Sequence, residues 1–203
     1  MDEENYVFPI DKMVGEFDDF IGIWRNFVPK QFCAHAINRF ETIMNGSLHV
    51  DIGEGSKQFG SKLGRHDKQL IFNDYDTEIT THANEYLKCC LKHYCMTYEQ
   101  LLSVRLQSYT VKGQKTPPQG GYHEWHYENA SIASASRELV WTIYLNDMPD
   151  GEAETEFLYQ KRRIKPEAGL VCIFPAGMTH VHRGNTVFTK DKYILTGWAH
   201  KVH

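Results

Sequence analysis

The sequence predicts a mainly β protein with helices ahead of its β half. Two patterns carry that expectation. Before residue ~100, apolar residues recur at helical spacing. After it, short apolar and β-branched runs alternate with Gly, Pro, Asn and Asp, as in a sandwich or barrel. At 203 residues the chain suits one domain, 1–203, with a real core. Residues 1–99 read as largely helical support and 100–203 as the β core.

The first ~25 residues are mixed and are expected to form an arm on the body. Pro29 then opens a helix, whose face carries Cys33, Ile37, Phe40 and Met44 at i, i+4, i+7 and i+11. Four Gly among residues 46–62 mark a loop or lid. Leu70-Ile71-Phe72 reads as a short strand. Ile79, Ala83, Leu87, Cys90 and Tyr94 form a second helical stripe. Val104 and Leu106 start a strand that ends at Tyr109. Residues 110–121, with three Gly and Pro117-Pro118, read as a long loop. Further strands are expected at Leu139–Leu145, Glu156–Ile164, Leu170–Phe174 and Tyr193–Trp198, with a turn at Pro166–Gly169.

A composition of 41% hydrophobic and 13% aromatic residues is globular. A net charge of -4 with scattered Lys and Arg gives no nucleic-acid signature. No apolar run is long enough for a transmembrane helix. The acidic start, Met-Asp-Glu-Glu-Asn, is unlike a signal peptide. An odd count of five Cys without a secretory segment predicts a reduced, cytoplasmic protein. Cys89, Cys90, His93 and Cys95 cluster, but on one helix they fan apart. No second ligand pair follows at zinc-finger spacing.

The chemistry concentrates in Tyr122-His123-Glu124-Trp125-His126-Tyr127-Glu128. On an extended strand, residues i and i+2 face the same way, so His126 and Glu128 can aim at one point. A second histidine would complete a two-His-one-carboxylate set, which suits non-haem Fe(II) and leaves coordination positions open. His182 follows the Leu170–Phe174 strand, and His180 has the same parity and stands as its rival. Lys192 lies ten residues beyond His182. That spacing is consistent with adjacent strands joined by a loop.

His126-x-Glu128, His182, Lys192, Thr196 and Trp198 in this order resemble the Fe(II)- and 2-oxoglutarate-dependent oxygenases. The prolyl 4-hydroxylase-like branch, with its bacterial and phage-type members, is the most similar. The resemblance covers roughly residues 100–200 and includes Arg137, Tyr144-Leu145-Asn146, Thr155-x-Phe157 and Pro166-x-x-Gly169. It implies a double-stranded β-helix, a cupin-like jelly roll with N-terminal helices packed on one sheet. It implies Fe(II) on His126, Glu128 and His182, with 2-oxoglutarate and O2 as cosubstrates and ascorbate as a supporting reductant. Lys192, Tyr144 and Thr196 match groups at the distal carboxylate of 2-oxoglutarate. Tyr109 matches a tyrosine near its other end, and Trp198 an aromatic behind the iron.

Two features depart from the family pattern. Glu128 stands where Asp is usual, and a halogenase would have Ala or Gly there. Tyr122 also lies one residue further from His126 than usual. The resemblance implies hydroxylation of an unactivated C–H bond, with 2-oxoglutarate cleaved to succinate and CO2. A peptide or protein substrate, prolyl first, is expected. A small molecule or free amino acid, or a non-catalytic 2-oxoglutarate sensor, are the alternatives. Lys112, Lys115 and Pro117-Pro118 read as a receiver of an acidic or extended peptide. His123 and Glu124 are expected at the rim, and His200 and His203 in the tail. Arg137 and Arg183 read as surface arginines or substrate contacts. Oligomeric state is not encoded in any feature of the sequence.

Overall fold

A computed structural model describes residues 13–46 and 65–202. Among the described residues, thirteen strands form two antiparallel sheets. In chain order they are β1 (Glu16–Asp18), β2 (Ile21–Trp24), β3 (Arg65–His66), β4 (Lys68–Ile71), β5 (Leu106–Ser108), β6 (Lys112–Thr116) and β7 (Gly121–His126). They continue as β8 (Arg137–Tyr144), β9 (Thr155–Phe157), β10 (Arg162–Ile164), β11 (Val171–Pro175), β12 (His182–Gly184) and β13 (Lys192–Lys201). The larger sheet runs β1-β2-β11-β8-β13-β6-β4, with β5 also on β13. The smaller runs β10-β9-β12-β7-β3. The mainly β architecture agrees with the jelly roll that the resemblance implies.

Alternation along the central strands explains the layers. On β8 and β11, Leu139, Trp141, Ile143, Val171 and Ile173 face the helices. Val140, Tyr144, Cys172 and Phe174 face the smaller sheet. Both faces are covered, so the core of β8 reads as a continuous buried run, Leu139 to Tyr144. The helices are α1 (Lys30–Met44) and α2 (Thr77–Thr97). α2 buries Ile79, Ala83, Leu87, Cys90 and Tyr94, the stripe read from the sequence. Asp76 caps it by accepting from the Ile79 N–H at 3.0 Å, an arrangement that contributes about 1 kcal/mol. Gly169, at φ +86°, turns the chain into β11, and its carbonyl accepts from the Phe27 and Val28 N–H groups. Added bulk there would meet the Val28 carbonyl.

Four expectations need correction. Residues 13–25 are more than an arm packed on the body: β2 is buried throughout and is a strand of the larger sheet, paired with β11. Residues 110–121 are not a loop, because β6 lies between β13 and β4. Its composition, Lys-Gly-Gln-Lys-Thr, hides it from apolar periodicity. Residues 156–164 make two strands, β9 and β10, folded back at a turn with Lys161 at φ 50°. His182 and Lys192 lie on successive strands of different sheets, not neighbours in one. The larger sheet draws strands from both sides of residue 99. The loop expected at 46–62 falls, from residue 47 onward, outside the described residues, as does His203. No helix among the described residues is long and apolar enough to cross a membrane.

Candidate active site

Neighbouring strands of the smaller sheet bring the two histidines together. β12 pairs with β7 so that His182 lies directly opposite His126, and their ring centroids are 4.4 Å apart. Glu128 follows two residues on, anchored by its backbone N–H to the Ala176 carbonyl at 2.9 Å. Its Oε1 lies 3.4 Å from His126 Nε2 and 3.8 Å from His182 Nε2. The three donor atoms all lie within 4.8 Å of one another, and among the described residues no other such group of His, Cys, Asp and Glu occurs.

Each donor is aimed from behind. His126 Nδ1 is 2.9 Å from the Glu124 carbonyl, and His182 Nδ1 is 2.9 Å from the His180 carbonyl. A carbonyl only accepts, so each Nδ1 carries the proton and each Nε2 presents a lone pair inward. Glu128 Oε2 accepts from Trp198 Nε1 at 3.0 Å and from Arg137 Nη1 at 3.2 Å. The Arg137 guanidinium lies 3.6 Å from the Trp198 ring centroid, stacked in cation–π contact. One carboxylate oxygen is thereby tied back and the other faces the imidazoles. Tyr122 stacks on His126 at 3.8 Å, and Phe174 packs edge-on against His182 at 4.8 Å.

The electrostatics favour a cation. Burial raises the pKa of Glu128, but its interactions with His126, His182 and Lys112 outweigh it. The carboxyl stays well below its ordinary range. Burial, and then the neighbouring His126, push His182 down to about 4, against the pull of Glu128. Two imidazole lone pairs and a carboxylate facing one another repel unless a proton or a metal ion lies between them.

The triad opens on a cavity of about 530 Å³ between the sheets. A family model described as the 2OG-Fe(II) oxygenase superfamily matches residues 108–200, the segment that supplies all three donors. Residues 108–200 are thus similar to the 2OG-Fe(II) oxygenase superfamily. A PKHD-type hydroxylase from Prochlorococcus marinus (strain MIT 9215) is 29% identical over 92 residues, 44% of this chain and 38% of that protein. A second, from Synechococcus sp. (strain CC9311), is 25% identical over 150 residues, 71% of this chain and 64% of that protein. The matches thus span less than two thirds of either relative. Among solved structures, the viral collagen prolyl hydroxylase of Paramecium Bursaria Chlorella virus-1 superposes with a TM-score of 0.64 at 18% identity, over 90% of this chain and 97% of that one. A prolyl hydroxylase from Trichoplax adhaerens, in complex with a hypoxia inducible factor peptide fragment, gives 0.69 at 15% identity, over 90% and 84%. These likenesses carry the fold.

The remaining residues singled out in the sequence divide by their position relative to the cavity. Lys192, Thr196 and Trp198 line the cavity with the triad. Lys192 is 7% exposed and donates to the Ala153 carbonyl at 2.7 Å. Burial lowers its pKa to about 8, and Glu154 and Asp67 limit the fall. Thr196 donates to the Trp141 carbonyl at 2.8 Å. Tyr144 sits one layer back: its hydroxyl is 2.7 Å from Thr155 Oγ1, and Thr155 faces the cavity.

Tyr109 is not in the cavity. β5 pairs with the far end of β13, so the chain leaves the sheet there. The Tyr109 ring is 52% exposed and packs 5.6 Å from His200. His180 is buried outside the triad, with Nε2 2.8 Å from the Asp19 carbonyl and Nδ1 3.0 Å from Thr179 Oγ1. Its backbone carbonyl, rather than its ring, serves the site. Arg137 and Arg183 both line the cavity, and Arg183 also bridges to Glu156 and covers Trp125.

Sequence reasoning missed the β6 side of the cavity, where Lys112, Gln114 and Thr116 face inward. A polar residue at every second position, with Gly113 between, was the available signal. An added Cβ on Gly113 would lie 2.6 Å from Phe72 and 2.9 Å from Phe40, so that face is packed.

Proposed function

We propose that the chain is an Fe(II)- and 2-oxoglutarate-dependent dioxygenase that holds iron on His126, Glu128 and His182 and hydroxylates peptidyl proline. The convergence of two Nε2 atoms and one carboxylate oxygen carries this reading. The donor set fits the group: two neutral nitrogens and one anionic oxygen suit Fe(II), and they leave room for a bidentate cosubstrate. When bound, iron with 2-oxoglutarate and O2 supplies oxidative decarboxylation and C–H hydroxylation.

The chain's own residues do the rest. The Glu124 and His180 carbonyls fix both imidazole tautomers. Trp198 and Arg137 hold Glu128 so that Oε1 alone faces the histidines. This accommodates the extra methylene relative to Asp. Lys192, on the far side of the cavity, offers an ammonium to the distal carboxylate. Its low-dielectric setting strengthens that pair relative to a surface one. Tyr127, 37% exposed, lines the cavity between the His126 and Glu128 donors, and Trp125, equally exposed, packs against Arg183 of the cavity wall. Exposed aromatics suit extended, proline-bearing segments.

Anaerobic addition of Fe(II) and 2-oxoglutarate tests the iron assignment. The protein is expected to give a visible charge-transfer band and, on admission of O2, to release succinate. His126→Ala and Glu128→Ala proteins that behave like the parent would remove the assignment. Proline-containing peptides are then scored by mass spectrometry for gain of one oxygen atom. Oxygen gain on free amino acids alone replaces the peptide reading with a small-molecule one. Cosubstrate binding without succinate makes the chain a sensor.

A further inference from the structure

The chain carries a net charge of -4, yet residues 157–166 hold Lys161, Arg162, Arg163 and Lys165 and no Asp or Glu. This stretch is the turn between β9 and β10 together with β10, an edge strand of the smaller sheet. Arg162 and Lys165 turn to Asp18 and Asp150. Arg163 turns instead to Glu156 on the neighbouring strand.

Register then builds a row. Arg163 lies opposite Glu156 on β9, and Glu156 lies opposite Arg183 on β12. Arg163 Nη2 and Arg183 Nη2 are each 2.9 Å from a different oxygen of that one carboxylate. The Arg183 guanidinium also lies 4.4 Å from the centroid of the Trp125 ring on β7, a cation–π contact. Trp125 and Arg183 are the chain neighbours of His126 and His182, so alternation turns them away from the donor nitrogens. The row Trp125, Arg183, Glu156, Arg163 therefore crosses four strands along the rim of the cavity, which Arg183 also lines.

Cations outnumber anions in this row. One carboxylate, its side chain 15% exposed, serves two guanidiniums. Lys161 lines the same hollow, of about 440 Å³, as Glu156 and Arg163, and Leu158 and Trp125 add apolar surface to it. Each guanidinium spends one edge of its fork on Glu156, and the Arg163 and Arg183 side chains stay 55% and 33% exposed. A fork already held in place loses little further freedom when it takes a second anion. The row is short, roughly 14 Å at ~4.8 Å per strand. That length, with a carboxylate at its centre, suits one or two acidic side chains beside an apolar residue better than a continuous phosphate backbone.

We propose that this row docks an acidic segment of the substrate peptide, next to the residue that enters the cavity. The proposal rests on the peptide reading given above and narrows it to a substrate class. The sequence offered Lys112 and Lys115 as the receiver of an acidic peptide. The fold turns Lys112 into the cavity and ties Lys115 to Glu41 and Asp191.

A mixture of proline-centred peptides with randomised flanks tests the proposal. The mixture is incubated with the protein, Fe(II), 2-oxoglutarate and O2, and products that gain one oxygen atom are sequenced by mass spectrometry. Asp and Glu are expected to be enriched on one side of the modified residue by roughly fivefold, the scale of a few part-exposed ion pairs. The enrichment should fall as NaCl is raised, because exposed pairs are screened. Lys161→Glu, which breaks neither bridge to Glu156, is expected to cut the enrichment by about half. Lys161→Glu/Arg163→Glu is expected to invert it toward Lys and Arg. Circular dichroism melts of both variants separate loss of docking from loss of fold, and if the double variant does not fold the single one decides. Products without charge preference, or an acidic preference that the folded variants keep, overturn the proposal and leave the peptide reading standing. Tighter binding of a labelled oligouridine than of an acidic peptide, measured by anisotropy and lost in Lys161→Glu, overturns it in favour of a nucleic acid. Succinate release with no peptide product overturns the peptide reading, and the docking proposal falls with it.

Discussion

At one end of the cavity, a carboxylate oxygen faces two imidazole nitrogens across 3.4 and 3.8 Å, and each donor is oriented by a second group behind it. At the other end, a single lysine points out of β13, held at 2.7 Å by one backbone carbonyl. The triad end centres on one carboxylate and gathers its parts from both sheets. The Lys192 end is cationic and is built around one side chain, with Asp67 and Glu154 acting on its charge. A network with many supports tolerates loss of one support and fails on loss of a donor. A single buried charge has no such reserve.

The largest effect is expected at the donors. His182→Ala or His126→Ala removes one of two neutral ligands, and metal uptake and succinate release fall to background. Retained high-affinity Fe(II) binding, measured anaerobically by calorimetry, would break the comparison at its first point. Next is Lys192→Ala, which removes the buried ammonium at the far end. The KM for 2-oxoglutarate should rise on the order of 100-fold, the scale of a lost buried charge partner, with metal affinity unchanged. Smaller effects belong to the supports. Arg137→Ala and Trp198→Phe should each weaken metal binding by roughly 10- to 100-fold without abolishing it. If either matches a donor deletion, support and donor are not separable.

The smallest effect is on stability against pH. The Lys192 pKa in the fold is pushed down to about 8, below the ordinary lysine value of 10.5. Between those values the unfolded chain binds more protons at this site than the native one. The Lys192 contribution therefore disfavours the fold below about 8 and is relieved as pH rises toward 10.5. Denaturant titrations of the cosubstrate-free parent and Lys192→Met should converge with rising pH across that window. Parallel curves would mean that the lysine titrates normally.

How much of this was readable follows from which face a residue serves. β8, β11 and β13 bury apolar side chains, so their runs are visible in the sequence. The triad was visible as an ordered pattern, since His126 and Glu128 share a strand direction and His182 follows a buried strand. β6 was invisible because its inner face lines a polar cavity and its outer face carries Gly113 at a packed position. β1, β3 and β9 are two or three residues long and too short for any period to register. The choice between His180 and His182 turned on the short 3-10 turn Met178–His180, which buries one ring against the Asp19 carbonyl and leaves His182 at the start of a strand. Tyr109 failed for a related reason. The length between it and His126 is taken up by an additional strand.

The supports of Glu128 have a mechanical consequence. Both histidines belong to the smaller sheet, while Arg137 and Trp198, which grip the glutamate, belong to the larger one. A metal ion on the triad would act as a rivet between two layers that are otherwise joined mainly by apolar packing. By mass action such a rivet adds about 2.7 kcal/mol when free metal stands at 100 times its Kd. Loading would then stiffen the cavity walls before any cosubstrate enters, and the layers would loosen together when the ion leaves.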